Sequence, residues 1–459
     1  MTNLYGKKIS SSAELEIQID NLVEKISTLT EDINDIKEPS AILGDEIGLL
    51  IKEYEGNRGR PMFYPYIGSG SGKGALVELE DGSIKLDLIN GIGINILGHS
   101  HPEIIKASLK GSLQDVTMQG NLQPSKEMIF LQRKLVSLAN KNSALNHSWL
   151  TTSGSMANEN ALKMCRQKTN GSRMLIAMDA AFAGRTTMMA EVTDNDTMRV
   201  GLPRYNEILR VPFYDKDNPK SIENSVSILK EHLEKHKGDI CGFMFEPLQG
   251  EGGFKVAPRE FFVPLLDLCK EHKVPVWADE IQTFCRTGEF FAFETLGLGE
   301  YIDICTIAKT LQGAATLYTD ELNPKPGLIA GTFAGSTVGL SSGLAVLNYL
   351  ETHNYMGKDG RVVKLHNEFV SMLQDLKETT CKGLIQDVEG LGLMVAMTPL
   401  DGSKEKMLGL LKALYKNGLI AFGCGRGPFR VRFLLPATLT SHEIQIARKV
   451  IEKSLQGFS

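Results

Sequence analysis

Val274-Pro275-Val276-Trp277-Ala278-Asp279-Glu280 and Asp303-Ile304-Cys305-Thr306-Ile307-Ala308-Lys309-Thr310 are two short apolar runs that each finish on charge. Apolar throughout rather than alternating, each reads as a strand buried on both faces, the signature of a parallel sheet covered by helices. An ion at the end of such a strand needs a reason, because burying an unpaired charge is expensive. Asp279 and Lys309 at neighbouring strand ends make either a structural ion pair or the pair that pyridoxal phosphate requires. That cofactor takes a lysine Schiff base on its aldehyde and an acidic partner on its ring nitrogen.

Outward from these runs the α/β alternation continues. Further strands are expected at 173–179 and 240–246, with helices at 156–168 and 259–272. Towards the C-terminus the pattern predicts helices near 362–377 and 403–416, a strand near 429–435 and a final helix near 441–455. Towards the N-terminus, Leu15, Ile19, Leu22, Val23 and Ile26 share one face of a helix over 13–29, capped by Ser11 or Ser12. That face must cover the chain's own body or a partner subunit. Asp81-Gly82 marks a hairpin turn. The expected division is an N-terminal helical extension (1–69), an N-terminal part of a small domain (70–105), a large domain (106–350) and a C-terminal small domain (351–459).

Composition narrows the classes. The chain has 459 residues, 42% hydrophobic and 23% charged, with a formal net charge of −5. This is ordinary for a globular protein and gives no sign of a nucleic-acid or membrane-surface partner. No apolar run approaches the roughly 20 residues of a membrane span. Seven cysteines without paired spacing, and no apolar core near Met1, lead us to expect reduced thiols and a cytoplasmic setting.

Three more segments carry candidate chemistry. Thr151-Thr152-Ser153-Gly154-Ser155 runs directly into a helix, whose free N–H groups suit either a phosphate or an ordinary serine cap. Phe182, after the 173–179 strand, suits either a flat ring or the core. Glu246-Pro247-Leu248-Gln249-Gly250-Glu251-Gly252-Gly253 is a glycine-rich turn at a strand's carboxyl end, where α/β proteins place ligands. Two rival motifs fail. Gly68-Ser69-Gly70-Ser71-Gly72-Lys73-Gly74 lacks the spacing of a nucleotide loop, and His232-Leu233-Glu234-Lys235-His236 has its glutamate in the wrong place for a zinc protease.

In order along the chain, these segments resemble the class III (ornithine/acetylornithine/4-aminobutyrate type) aminotransferases of pyridoxal-phosphate fold type I. The likeness also rests on Leu97-Gly98-His99-Ser100-His101-Pro102, Asp279-Glu280-Ile281-Gln282-Thr283, Arg286-Thr287-Gly288-Glu289-Phe290-Phe291-Ala292 and Ala308-Lys309. The resemblance implies a large domain with a mostly parallel sheet flanked by helices, plus a smaller α+β domain from N- and C-terminal segments. It implies that Lys309 forms the Schiff base and moves the proton, and that Asp279 pairs with the ring nitrogen. Gln282 meets the ring oxygen, Phe182 and Ile281 flank the ring, and Ser153, Gly154 and Ser155 hold the phosphate. Thr332 reaches the phosphate in the other subunit, which implies a homodimer with shared active sites, or a larger assembly of such dimers. Arg432 takes a substrate carboxylate and Glu251 pairs with it. Arg430 is expected on the opposite strand face and is the lesser candidate.

The chain departs from that family at Phe182-Ala183-Gly184, where an aromatic–His–Gly run is usual. It departs again at Thr310-Leu311-Gln312-Gly313, where glycines are usual, at Gly335-Ser336-Thr337, and before residue 70. The expected activity is transfer of an amino group, from the distal amine of an ω-amino acid, to a 2-oxo acid such as 2-oxoglutarate. The competing readings are a glutamate-1-semialdehyde-type aminomutase, another pyridoxal-phosphate racemase or decarboxylase, and a non-catalytic binding protein.

Overall fold

The computed structural model describes residues 4–115 and 122–458, and the chain divides into two units. The larger, residues 107–363 with 389–392, is built on a seven-stranded sheet. Its main elements are β1 (His147–Thr151), α1 (Gly154–Lys168), β2 (Met174–Met178), β3 (Ile208–Val211), β4 (Ile240–Phe245), α2 (Arg259–Glu271), β5 (Val276–Asp279), β6 (Ile304–Ile307), β7 (Ala314–Tyr318) and α3 (Thr337–Thr352). The order across the sheet is β1-β7-β6-β5-β4-β2-β3. Neighbours from β3 through to β6 are parallel. β7 alone runs against both of its partners, β6 and β1.

This is the α/β architecture expected from the apolar runs. β4, β5, β6 and β7 are buried along their whole length, so every side chain on them faces protein and alternation is lost. α2 covers the sheet through Phe261, Phe262, Leu265, Leu266 and Cys269, all buried. Each such large apolar side chain contributes on the order of 1.5–3 kcal/mol when removed from water. α1 lies close because its inner face carries Ala157 and Ala161, both fully buried. A methyl group at Gly242 of β4 would stand 3.1 Å from Cys165 Sγ on that helix. All seven cysteines are buried thiols.

The smaller unit combines residues 1–106, 364–388 and 393–459. Gly68–Lys73, Leu76–Leu79, Ile84–Asp87 and Leu419–Ile420 form one sheet, in that order. Its hairpin turns at Gly82, which has a positive φ of 75° as the Asp81-Gly82 turn demands. A second sheet joins Ile385–Leu391, Met394–Pro399, Arg430–Leu434 and Phe422–Cys424. The closing helix Ser441–Gln456 begins with a Thr440/Glu443 capping box. Glu443 Oε1 also accepts the Ala75 N–H at 3.0 Å, so one side chain caps the C-terminal helix and pins the N-terminal segment. Helix Ala13–Leu29 is capped by Ser12, and Lys106 pairs with its Glu16 and Asp20 at 3.0 and 2.5 Å. Of the apolar face read there, Ile19 is buried, Val23 and Ile26 are half-buried, and Leu15 and Leu22 are exposed. Among the described residues no helix is long and apolar enough to cross a membrane.

Candidate active site

Within the larger unit, the carboxyl ends of β1, β2, β4, β5 and β6 point to one edge of the sheet, and each leads into a segment singled out above. β1 leads through Ser153 into α1. Ser153 is the helix cap, its hydroxyl accepting the Met156 N–H at 3.3 Å. Gly154 follows with no side chain, and Ile281 fills the space: a Cβ at Gly154 would stand 2.9 Å from Ile281 Cδ1. Ile281 also packs against Ala157, Ala308 and Ala314, which joins the start of α1 to the residue before Lys309.

β5 ends on Asp279, which is 4% exposed. One of its oxygens accepts the Ile281 N–H at 3.0 Å, and the other accepts from Asn158 Nδ2 at 2.7 Å. Burial pushes its carboxyl up to about 6, while the Ile281 N–H, Asn158 and the nearby Lys309 ammonium pull the other way. Asn158 is fully buried on α1 and also donates to Ala183 O at 2.8 Å. Sequence reasoning misses it, although an asparagine on the inner face of a helix that starts a phosphate-type loop is a signal of a buried polar partner.

Two loops are tied together by a second buried acid. Glu246, 6% exposed, accepts the Phe182 N–H at 3.1 Å and the Gly250 N–H at 2.9 Å. Burial, and then the Asp279 carboxylate, push it up to about 8. Thr193 Oγ1 accepts from Ala183 and Gly184 at 3.0 and 3.3 Å. The backbone next to Phe182, where the family's histidine is absent, is therefore held by a threonine. Phe182 is half-buried, with the Arg185 guanidinium 5.8 Å from its ring centre.

Gln282 is 8% exposed, and its Oε1 is buried without a hydrogen-bond partner. The bare Cα of Gly250 faces it, where a Cβ would come within 2.5 Å. Ser155 is approached by Gly184 in the same manner, at 2.3 Å from its hydroxyl. Glu251 is half-buried in the same unit, and Thr332 is exposed in the loop that leads to α3.

Two expectations need correction. Lys309 does not end a strand: β6 stops at Ile307, and Lys309 opens a short 3-10 turn to Leu311 with a left-handed φ of 52°. Arg430 and Arg432 do not lie on opposite faces, since residues two apart on a strand share a face. Both are buried on Arg430–Leu434 of the smaller unit. What separates them is their partners, with Arg430 paired to Asp387 at 3.2 Å and Arg432 lying 5.6 Å from the centre of the Phe422 ring.

These residues fit pyridoxal phosphate. The glycine-lined approach to the start of α1 suits a phosphate. Asp279, held as an acceptor near Lys309, suits a pyridinium nitrogen. The buried amide of Gln282 has capacity for a polar ring substituent.

Comparison with known proteins agrees. The family described as aminotransferase class-III matches residues 58–455. An acetylornithine aminotransferase from Bacillus anthracis is 30% identical over 392 residues, covering 83% of this chain and 93% of its own. A 5-aminovalerate aminotransferase from Pseudomonas aeruginosa is 28% identical over 418 residues, covering 84% and 93%. The crystal structure of a Bacillus anthracis aminotransferase superposes with a TM-score of 0.80 at 20% identity, over 90% of this chain and 99% of that one.

Proposed function

The chain belongs to the class III aminotransferases and is a pyridoxal-phosphate-dependent transaminase, and on that premise we propose that it moves the distal amine of an ω-amino acid to 2-oxoglutarate by a ping-pong route. The observation that carries the reading is the joining of Asp279, Asn158, Ile281 and the Lys309 turn at one sheet edge. Relatives named for 5-aminovalerate and 4-aminobutyrate carry in those names an amine at the far end of the chain, which supports an ω-amino donor.

When bound, pyridoxal phosphate supplies an electron sink for the carbanion at the substrate carbon. The protein does the rest. The first N–H groups of α1, with Ser153, Gly154 and Ser155, hold the phosphate, and Thr332 of a second copy completes that grip in a homodimer. Asp279, kept as an acceptor by Asn158 and the Ile281 N–H, holds a proton at the ring nitrogen. Phe182 and Ile281 would flank the ring, and Gln282 would meet its oxygen. The amine of Lys309 would take the proton from the substrate carbon and deliver it to the cofactor's aldehyde carbon, so that the amino group is left on the cofactor. Arg432 takes the substrate carboxylate, its planar guanidinium suiting a bidentate contact. Glu251 is its counterpart when that carboxylate is absent.

Purified enzyme saturated with pyridoxal phosphate should show a visible absorbance band that bleaches with ω-amino acids and returns with 2-oxoglutarate. Lys309→Ala should lose both the band and turnover, the latter by more than about a thousandfold. A band that survives in Lys309→Ala would sink the reading. Product formed from a single substrate with no 2-oxo acid would replace transamination with an internal amine shift.

A further inference from the structure

Lys309 holds a backbone conformation that a lysine does not choose. Its φ is 52°, and Gln312, three residues on, has a φ of 59°. Left-handed backbone at side chains with a Cβ is disfavoured and persists only where the surroundings fix it. Two independent features fix it here.

The first is Arg286, 1% exposed in the turn that follows β5. Its Nη1 donates to the hydroxyl of Thr310, the residue after Lys309, with longer contacts to the carbonyls of Phe284 at 3.4 Å and Gln282 at 3.5 Å. Thr310 is fully buried. One guanidinium therefore joins the segment that bears Asp279 and Gln282 to the turn that bears Lys309.

The second is α3, whose Gly339 and Gly343 lie one helical turn apart on one face. A Cβ on Gly343 would stand 2.3 Å from the Leu311 carbonyl, and one on Gly339 would stand 2.8 Å from the Gln312 carbonyl. The helix presses bare backbone onto the carbonyls of the same turn, so the turn is held at two separate points.

We propose that the Arg286–Thr310 contact and the glycine face of α3 act together to set the Lys309 backbone, which makes Arg286 and Thr310 positioning residues for its amine. The inference rests on the reading of Lys309 given above. It follows from what an amine that attacks and shuttles a proton requires: the same nitrogen must reach fixed atoms repeatedly, and a displacement near 1 Å costs rate without costing substrate affinity.

The test uses holoenzyme. Removing Arg286 would empty the core, so the informative change is Thr310→Val, which keeps the shape and deletes the hydroxyl. It should lower kcat about 10- to 100-fold while KM stays within about twofold. It should also move the pH at which the visible band of bound cofactor titrates by about half a unit or more. Thr310→Ser should restore both. Gly343→Ala, which pushes on the Leu311 carbonyl, should shift the same titration and serves if Thr310→Val does not fold.

A Thr310→Val enzyme with wild-type kcat and titration would overturn the proposal, as would a Thr310→Ser enzyme as impaired as Thr310→Val. Lys309→Ala separates the two levels. If it retains the band, the assignment of Lys309 itself fails. If it loses the band while Thr310→Val and Gly343→Ala behave as wild type, only the positioning fails.

Discussion

Asp279 and Glu280 are neighbours in sequence with different partners. The oxygens of Asp279 meet Asn158 and the Ile281 N–H. Those of Glu280 are taken up by the Ala292 and Phe293 N–H groups, at 2.7 and 2.8 Å, and by the Thr283 hydroxyl at 3.0 Å. Burial outweighs those bonds and pushes Glu280 from 4.5 up to about 7. Between those values the folded chain keeps a proton that the unfolded chain has released. Stability from this group is therefore complete below about pH 4.5 and is lost as pH rises through about 7. Glu280→Gln should flatten that part of the decline in melting temperature between pH 5 and 8, at a general cost of about 1–2 kcal/mol from the N–H its amide cannot serve. An unchanged slope would show that Glu280 is not the group responsible. The sequence does not separate these two acids by composition or spacing, because both end the same apolar run. Asn158 is harder still, since its role depends on which strand end α1 crosses.

At the scale of elements, legibility followed hydrophobic pattern. Strands β4, β5 and β6 and helices α1 and α2 were readable because parallel strands buried on both faces run apolar without interruption. β7 was not, because Ala314-Ala315-Thr316-Leu317-Tyr318 opens on two alanines, poor strand formers, and its place is set by pairing with β1 and β6. The Lys309 turn was misread as strand because a left-handed residue leaves no trace in hydrophobicity. Gly98 in the smaller unit shows the same kind of constraint. It has a φ of 78°, and a Cβ there would lie 2.4 Å from the Gly74 carbonyl. That carbonyl is fixed by the His99 N–H at 2.7 Å, so it cannot yield. Gly98→Ala should destabilise the enzyme by roughly 2–3 kcal/mol, seen as a lower denaturant midpoint at unchanged slope. A midpoint equal to wild type would mean that the turn relaxes freely.

At the scale of the whole chain, the family and the fold were both within reach of the sequence, because ordered short motifs survive where overall identity is near 30%. The amine donor was not, since no motif marks the residues that shape its pocket. Of the helices before residue 60, only Ala13–Leu29 was readable, from its periodic face; Tyr5–Ser10 and Gly44–Arg58 carry no such clear stripe. The seven cysteines bear on a different question. Every one is buried, and burial pushes Cys165, Cys285 and Cys305 far above the usual thiol range. A thiol that is neither ionised nor reachable does not react with an alkylating reagent, so label enters only when the chain opens. Iodoacetamide uptake, followed peptide by peptide, should therefore be slow in native enzyme. Cys381, on the smaller unit, and Cys165, beneath the sheet of the larger, would then act as separate clocks for the breathing of the two halves.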